Sequence, residues 1–136
     1  MTLTNYQWFG ELINITLDGS TYSAAGSAYK LYGTYAWNRY RIWSFTLQNA
    51  DVYIKLPDAR DLPLGGPLWY FDNLTAGDSY EIFFTNQSDA VVGVLKSKNY
   101  TNRTKCVVTL LDNSTAAGVW GMLGLSKALP SVLQTS

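Results

Sequence analysis

Ten carboxylates, ten cationic side chains, one cysteine and no histidine are what this 136-residue sequence has available for acid–base, nucleophilic or metal chemistry. Without an imidazole, a serine triad and most general acid–base schemes lose the side chain whose proton moves near neutral pH. The stretch Gly77-Asp78-Ser79 has the look of a hydrolase serine motif, but its serine has no histidine to take the proton. Glycoside cleavage needs two carboxyl groups facing each other across a sugar. Glu11, Glu81 and pairs among Asp58, Asp61 and Asp72 are the candidates, yet the aspartates sit where aspartate ordinarily closes turns. Asp58 with Asp61, or Asp112 with Asn113, could hold calcium weakly, and a solvated turn explains each pair better. No Cys/His zinc spacing, acidic calcium loop or glycine-rich phosphate loop occurs. The expectation is therefore no catalytic residue, no metal and no cofactor, and a protein that binds or assembles.

Cys106 falls in the apolar run Cys106-Val107-Val108-Thr109-Leu110-Leu111, where a lone thiol behaves as a small hydrophobe. Asn-x-Ser/Thr triplets begin at Asn14, Asn73, Asn86, Asn99, Asn102 and Asn113. They matter only in a secretory compartment, and in a chain this rich in Asn, Ser and Thr they arise by chance. Residues 1–5 carry neither a basic nor a long apolar segment, and no run approaches the roughly 18 residues of a membrane span. A soluble protein made in a cytoplasm is expected. Formal net charge is zero, with no block of like charge to draw nucleic acid or an anionic membrane, so neither is an expected partner.

Strands must position whatever these residues do. Ten Tyr and five Trp beside abundant Thr, Ser, Asn and Gly make a β composition. A chain of this length is one domain that buries roughly two-thirds of its unfolded surface. Residues 7–17 read as a first strand, with Asp18-Gly19 as a hairpin turn. Residues 20–28 read as a loop and 29–35 as a strand. Within 40–47, Trp43, Phe45 and Leu47 alternate onto one buried face. Residues 52–56 form a strand stopped by Pro57, which has no amide proton for the ladder. Pro63, Gly65, Gly66 and Pro67 mark a loop, and strands follow at 68–73, 80–84, 90–95 and 106–111, with a basic loop over 96–105. Short strands, regular turns and no convincing long helix predict an all-β fold, an antiparallel β-sandwich of which a jelly roll is one form, with irregular N-terminal and C-terminal extensions. The predicted domain is 1–121, organised around 51–120. Residues 122–136 make a tail in which Pro130 limits any helix, suited to an interaction arm.

The succession Leu56-Pro57-Asp58-Ala59-Arg60, then Gly65-Gly66, an aromatic strand ending Phe71-Asp72-Asn73, strands at Tyr80 and Val91, and Leu111-Asp112-Asn113-Ser114-Thr115-Ala116-Ala117-Gly118-Val119-Trp120 resembles a β module of tailed-phage virion proteins. That module occurs in head decoration proteins, head fibres and tail-associated proteins. The resemblance covers roughly half the chain and is most specific at the closing Asp-Asn-Ser-Thr-Ala-Ala-Gly-x-Trp. It departs in the long basic loop and says nothing of residues 1–50. The residues themselves carry structural roles: Trp43 fills the core, Pro57 ends a strand, Asp58 and Asp112 cap turns, Gly118 permits a tight approach and Trp120 plugs the end of the core. The resemblance implies a capsid decoration, or cement, protein on the outer surface of the virion, a homotrimer bound to the major capsid protein.

Expected partner contacts are Tyr35, Trp37 and Tyr40, with Met122, Leu123, Leu125, Leu129, Val132 and Leu133 of the tail, because Tyr and Trp dominate interface hot spots. The competing reading makes these aromatics core and packs the tail on its own domain. Two other functions suit the same sequence. A carbohydrate-binding module at the tip of a host-recognition fibre would set Tyr and Trp in a planar row on one sheet face. A head–tail joining protein would differ in copy number.

Overall fold

The computed structural model describes residues 11–31, 40–64, 68–75, 80–96 and 105–124. Residues 1–10, 32–39, 65–67, 76–79, 97–104 and 125–136 lie outside the described residues, and with them the start of the strand expected from residue 7, the end of the one expected over 29–35 and most of the expected tail.

Among the described residues nine strands form two layers: β1 (Glu11–Asp18), β2 (Tyr29–Lys30), β3 (Tyr40–Gln48), β4 (Val52–Lys55), β5 (Leu68–Asn73), β6 (Ile82–Thr85), β7 (Val91–Leu95), β8 (Lys105–Asp112) and β9 (Val119–Gly124). The larger sheet has the order β1-β3-β5-β8-β9 and the smaller β2-β4-β6-β7. Strands β1, β3 and β5 run parallel in one sheet, and β2, β4 and β6 run parallel in the other. The chain thus winds as a coil, leaving one strand in each layer per turn. Antiparallel strands close the winding, with β7 against β6, β8 against β5 and β9 against β8. Among the described residues no helix is long and apolar enough to cross a membrane.

The all-β sandwich read from the sequence is the architecture observed, but its sheets are mixed rather than antiparallel, and the winding is not that of a jelly roll. The reason lies at Asp18-Gly19, which does not return the chain beside β1. Asp18 pairs with Gln48 at the ends of β1 and β3, and the Gly19 amide donates to the Gln48 carbonyl at 2.7 Å. The Asp18 carboxylate accepts from the Ser20 amide (2.9 Å), the Ser20 hydroxyl (2.6 Å) and Asn49 Nδ2 (2.9 Å). Two parallel strands are tied together there while the chain crosses to the other layer. A side chain at Gly19 would collide with the Ala50 carbonyl, so the crossing requires glycine.

Parallel pairing in register stacks like faces on like faces. Trp43 lies beside Phe71, which lies beside Cys106. Phe71 is fully buried at the centre of the aromatic core, with ring centroids 6.2 Å from Trp43, 5.8 Å from Phe45, 6.3 Å from Trp69 and 4.9 Å from Phe84 of the opposite sheet. At the end of β5 the buried Asn73 joins the layers: its amide donates to the Tyr80 carbonyl (3.1 Å) and the Leu95 carbonyl (3.5 Å). Its oxygen accepts from the Thr75 hydroxyl at 2.6 Å, and Thr75 Oγ1 in turn accepts from the Leu47 amide at 2.9 Å. The buried side-chain groups of Asn73 and Thr75 are thereby satisfied, as a polar atom enclosed in a core requires.

Phe71→Ala should therefore cost about 3–5 kcal/mol in urea unfolding, while Tyr70→Ala, on the outer face of the same strand, should stay within about 1–2 kcal/mol. Equal losses at the two positions would remove Phe71 from the centre of the core.

Candidate functional site

The two motifs that bound residues 51–120 meet in space. The Leu56 amide still donates to the Thr85 carbonyl at 2.8 Å, and Pro57, with no amide proton, takes the chain out of the sheet. The Asp58 carboxylate then accepts from Arg60 N and Nε, both at 3.0 Å, and from Arg60 Nη2 at 2.7 Å, which starts the 3₁₀ turn Ala59–Asp61. Between β8 and β9, Asp112 Oδ1 accepts from the Ser114 amide at 2.8 Å and Thr115 Oγ1 accepts from the Gly118 amide at 3.1 Å.

These two loops interlock. The Ala59 amide donates to the Ala116 carbonyl at 2.9 Å, and Asn113 Nδ2 reaches the Leu62 carbonyl, also at 2.9 Å. Gly118 has a left-handed φ of 68° and lies so close to Ala59 that a Cβ there would strike the Ala59 methyl. Beneath them Trp120 stacks on Trp69 with centroids 5.8 Å apart, and its Nε1 donates to the Ala117 carbonyl at 3.0 Å. The corner closes the end of the sandwich.

Its electrostatics are those of a structural element. Hydrogen bonds from the Arg60 side chain hold the Asp58 carboxyl below the usual range, and the same contact raises Arg60. Hydrogen bonds from Ser114 lower Asp112, and Asn49 and Ser20 lower Asp18. Carboxylates stabilised in their charged form are poorly matched to shuttling protons near neutral pH. Burial pushes the Cys106 thiol up to about 12, so it is neither a thiolate nucleophile nor a ready metal ligand. Among the described residues no three His, Cys, Asp or Glu side chains gather as a metal site would require.

The other residues singled out in the sequence fall as follows. Trp43 is buried in the aromatic core, and Tyr40 opens β3. Tyr35, Trp37, Leu125, Leu129, Val132 and Leu133 lie outside the described residues. Strand β9 runs through to Gly124, so the domain edge expected after residue 121 falls inside a strand. Met122, expected at a partner interface, is 2% exposed: it shares the inward parity of Trp120 and packs in the core. Leu123, with the opposite parity, faces out at 58% exposure. Asn73 and Asn86 are buried and their side chains are engaged within the fold, so neither can carry a glycan in the folded protein.

Sequence reasoning gave Ala59 and Asn113 no part in joining the corner, and of the outward set Leu111, Val119 and Leu123 on β8 and β9 it singled out Leu123 alone. The parity of Trp120 was a usable signal for Val119. The alternation of Cys106, Val108 and Leu110 was one for Leu111, whose side chain lies over Gly121 beside the bulge between Leu110 and Asp112. Around it the outer face of the larger sheet continues through Val107 and Tyr70, both half-buried and in register with Leu123. On the smaller sheet Tyr53 and Phe83 are half-buried partners with centroids 5.0 Å apart and planes at 23°. Rings that close overlap and cover each other's faces instead of lying side by side in a plane.

No family model, no curated protein and no solved structure matches this chain.

Gly118→Ala should destabilise by about 1–3 kcal/mol, combining left-handed strain with overpacking against Ala59. Adding Ala59→Gly should recover the overpacking part and leave the strain, as read by urea midpoints; no recovery would place the clash elsewhere. The pH dependence has a definite sign. Asp18, Asp58 and Asp112 titrate below their ordinary 3.8 in the fold, so their contribution is present above that pH and disappears as pH falls through the lowered values. Replacing all three with Asn should lower the thermal midpoint at pH 7 and flatten its decline below about pH 4. An unchanged acid limb would assign that decline to other carboxylates.

Proposed function

We propose that this chain is a non-enzymatic structural protein of a tailed-phage virion: a capsid decoration protein that binds the outside of the major capsid shell and stabilises it. The observation that carries this reading is the interlocked corner. The residues most specific to the resemblance, 56–60 and 111–120, are distant in sequence and meet in one hydrogen-bonded unit around Gly118 and Trp120. Their spacing then has a physical reason, since each half is shaped by the other.

Beside that corner, Leu111, Val119 and Leu123 stand more than half exposed on one sheet face. Exposed leucine and valine gathered on one face suit docking to a large protein surface. Zero formal net charge would permit close packing without long-range repulsion. A sugar-binding role would need open ring faces, and Tyr53 and Phe83 are turned against each other. Attachment to the outer shell, as a homotrimer contacting the major capsid protein, is the arrangement this reading expects.

Purified protein should co-sediment with empty capsids of the phage that encodes it and saturate at a copy number comparable to that of the shell subunits. Leu111→Asp with Leu123→Asp should weaken that binding by at least about tenfold, with the circular-dichroism signal of the sheets unchanged. No binding, or saturation at the few copies of a single vertex, would overturn the decoration role.

A further inference from the structure

Among the described residues, the larger sheet ends on two strands whose own sequences carry little of the usual protection. Edge strands present a row of unpaired amides and carbonyls, and proteins normally blunt them with charge, proline, bulges or shortness. The smaller sheet does this: β2 is two residues long and ends on the exposed Lys30, and β7 lies between Asp89 and Lys96 with an irregular register against β6. Strand β9, Val-Trp-Gly-Met-Leu-Gly, has no charge and no proline, and the bulge beside it belongs to β8. Strand β1 is eight residues long, regular in register, and charged only at its ends, Glu11 and Asp18. No described strand pairs with the outer edge of either.

These edges match each other. Strand β1 is parallel to β3 and β5, and β9, antiparallel to β8 which is antiparallel to β5, runs the same way. A second copy could therefore set its β1 parallel beside β9 and continue the sheet with the pairing that β1, β3 and β5 already use. Placing residues 12–17 beside 119–124 keeps the faces in phase. Positions 13 and 15, which pair with the inward Trp43 and Phe45, would lie next to the inward Trp120 and Met122. The exposed Asn14 and Thr16 would lie next to Gly121 and Leu123. Ile15 packs on the core yet stays only half-buried, as expected of an inward residue with a neighbouring strand on one side only.

We propose that β1 and β9 are complementary edges through which copies of this chain join head to tail, the β9 of one copy receiving the β1 of the next. The junction is heterologous, so it closes into a ring or extends as a stack according to the rotation between copies. It depends on the edges alone and stands whether or not the protein decorates a capsid.

The test uses the full chain in analytical ultracentrifugation over a concentration series. The wild type should sediment at twice the 15.1 kDa chain mass or more. Asn14→Lys with Thr16→Lys blocks one edge, and Val119→Lys with Leu123→Lys blocks the other. All four side chains are exposed, so each double variant should keep the wild-type circular-dichroism spectrum. Each alone should be monomeric, and an equimolar mixture should form a dimer and nothing larger, because one intact junction remains. Asn14→Glu with Thr16→Glu mixed with the β9 lysine variant should associate more tightly than the lysine variants do. A monomeric wild type overturns the proposal. So does a β1-blocked variant that still dimerises alone, since that would be a symmetric β9 contact.

Discussion

Parallel register is the constraint on which the rest of the molecule depends. Once β1, β3 and β5 run in the same direction with residues 13, 43 and 71 side by side, inward positions must line up in rows across the sheet. Large aromatics in those rows stack instead of interdigitating. Trp43 and Phe71, neighbours in one row, are within 23° of parallel, and Phe45, two residues along β3 from Trp43, is within 8° of Trp43 and 16° of Phe71. Phe84, tilted at 51° from the other sheet, fills the space that stacked rings leave open. Aromatic side chains each remove a large apolar area from water, so a few rows of them stabilise a chain with little regular structure outside its strands.

A coil of this kind needs its ends closed, because each turn buries only the face of its neighbour. At the closing end the solution is the corner of residues 57–62 and 112–120. Trp120 extends the aromatic row from Trp69, Ala59 and Leu62 join it in the core, and Gly118 lets the two loops approach to backbone-contact distance. The turn carboxylates Asp58 and Asp112 satisfy amides that would otherwise be left without partners as the chain leaves the sheet. The proposed docking would draw on this rigidity. The corner holds the β8–β9 hairpin fixed, and the hairpin presents Leu111, Val119 and Leu123 on one face and, along its side, an edge with which no described strand pairs. A surface held in one shape loses little conformational entropy on docking.

Both surfaces would be hazards in a protein that had to remain alone. Apolar faces and uncharged edges promote association, and zero formal net charge supplies no long-range repulsion against it. The blunted edges of the smaller sheet show that this sequence carries the protective devices where they are wanted. Their absence from β1 and β9 is therefore specific to the larger sheet.

Much of the local structure followed from the sequence alone. The alternation of Trp43, Phe45 and Leu47 puts them on one face, and that face is buried; Pro57 takes the chain out of the sheet because its nitrogen carries no hydrogen; Cys106 in its apolar run is a buried thiol. These are consequences of side-chain parity and of the chemistry of single residues, which act within a few positions of themselves. What only the tertiary structure decided was direction and partnership. A period of two says which face a residue takes and is silent on which strand lies beside it, so Asp18-Gly19 reads equally as a hairpin and as a crossing between layers. The contact of Ala59 with Gly118 depends on where distant segments arrive. Hydrogen bonds such as Asn113 to Leu62, 51 residues apart, form only once the sheets have placed their ends together.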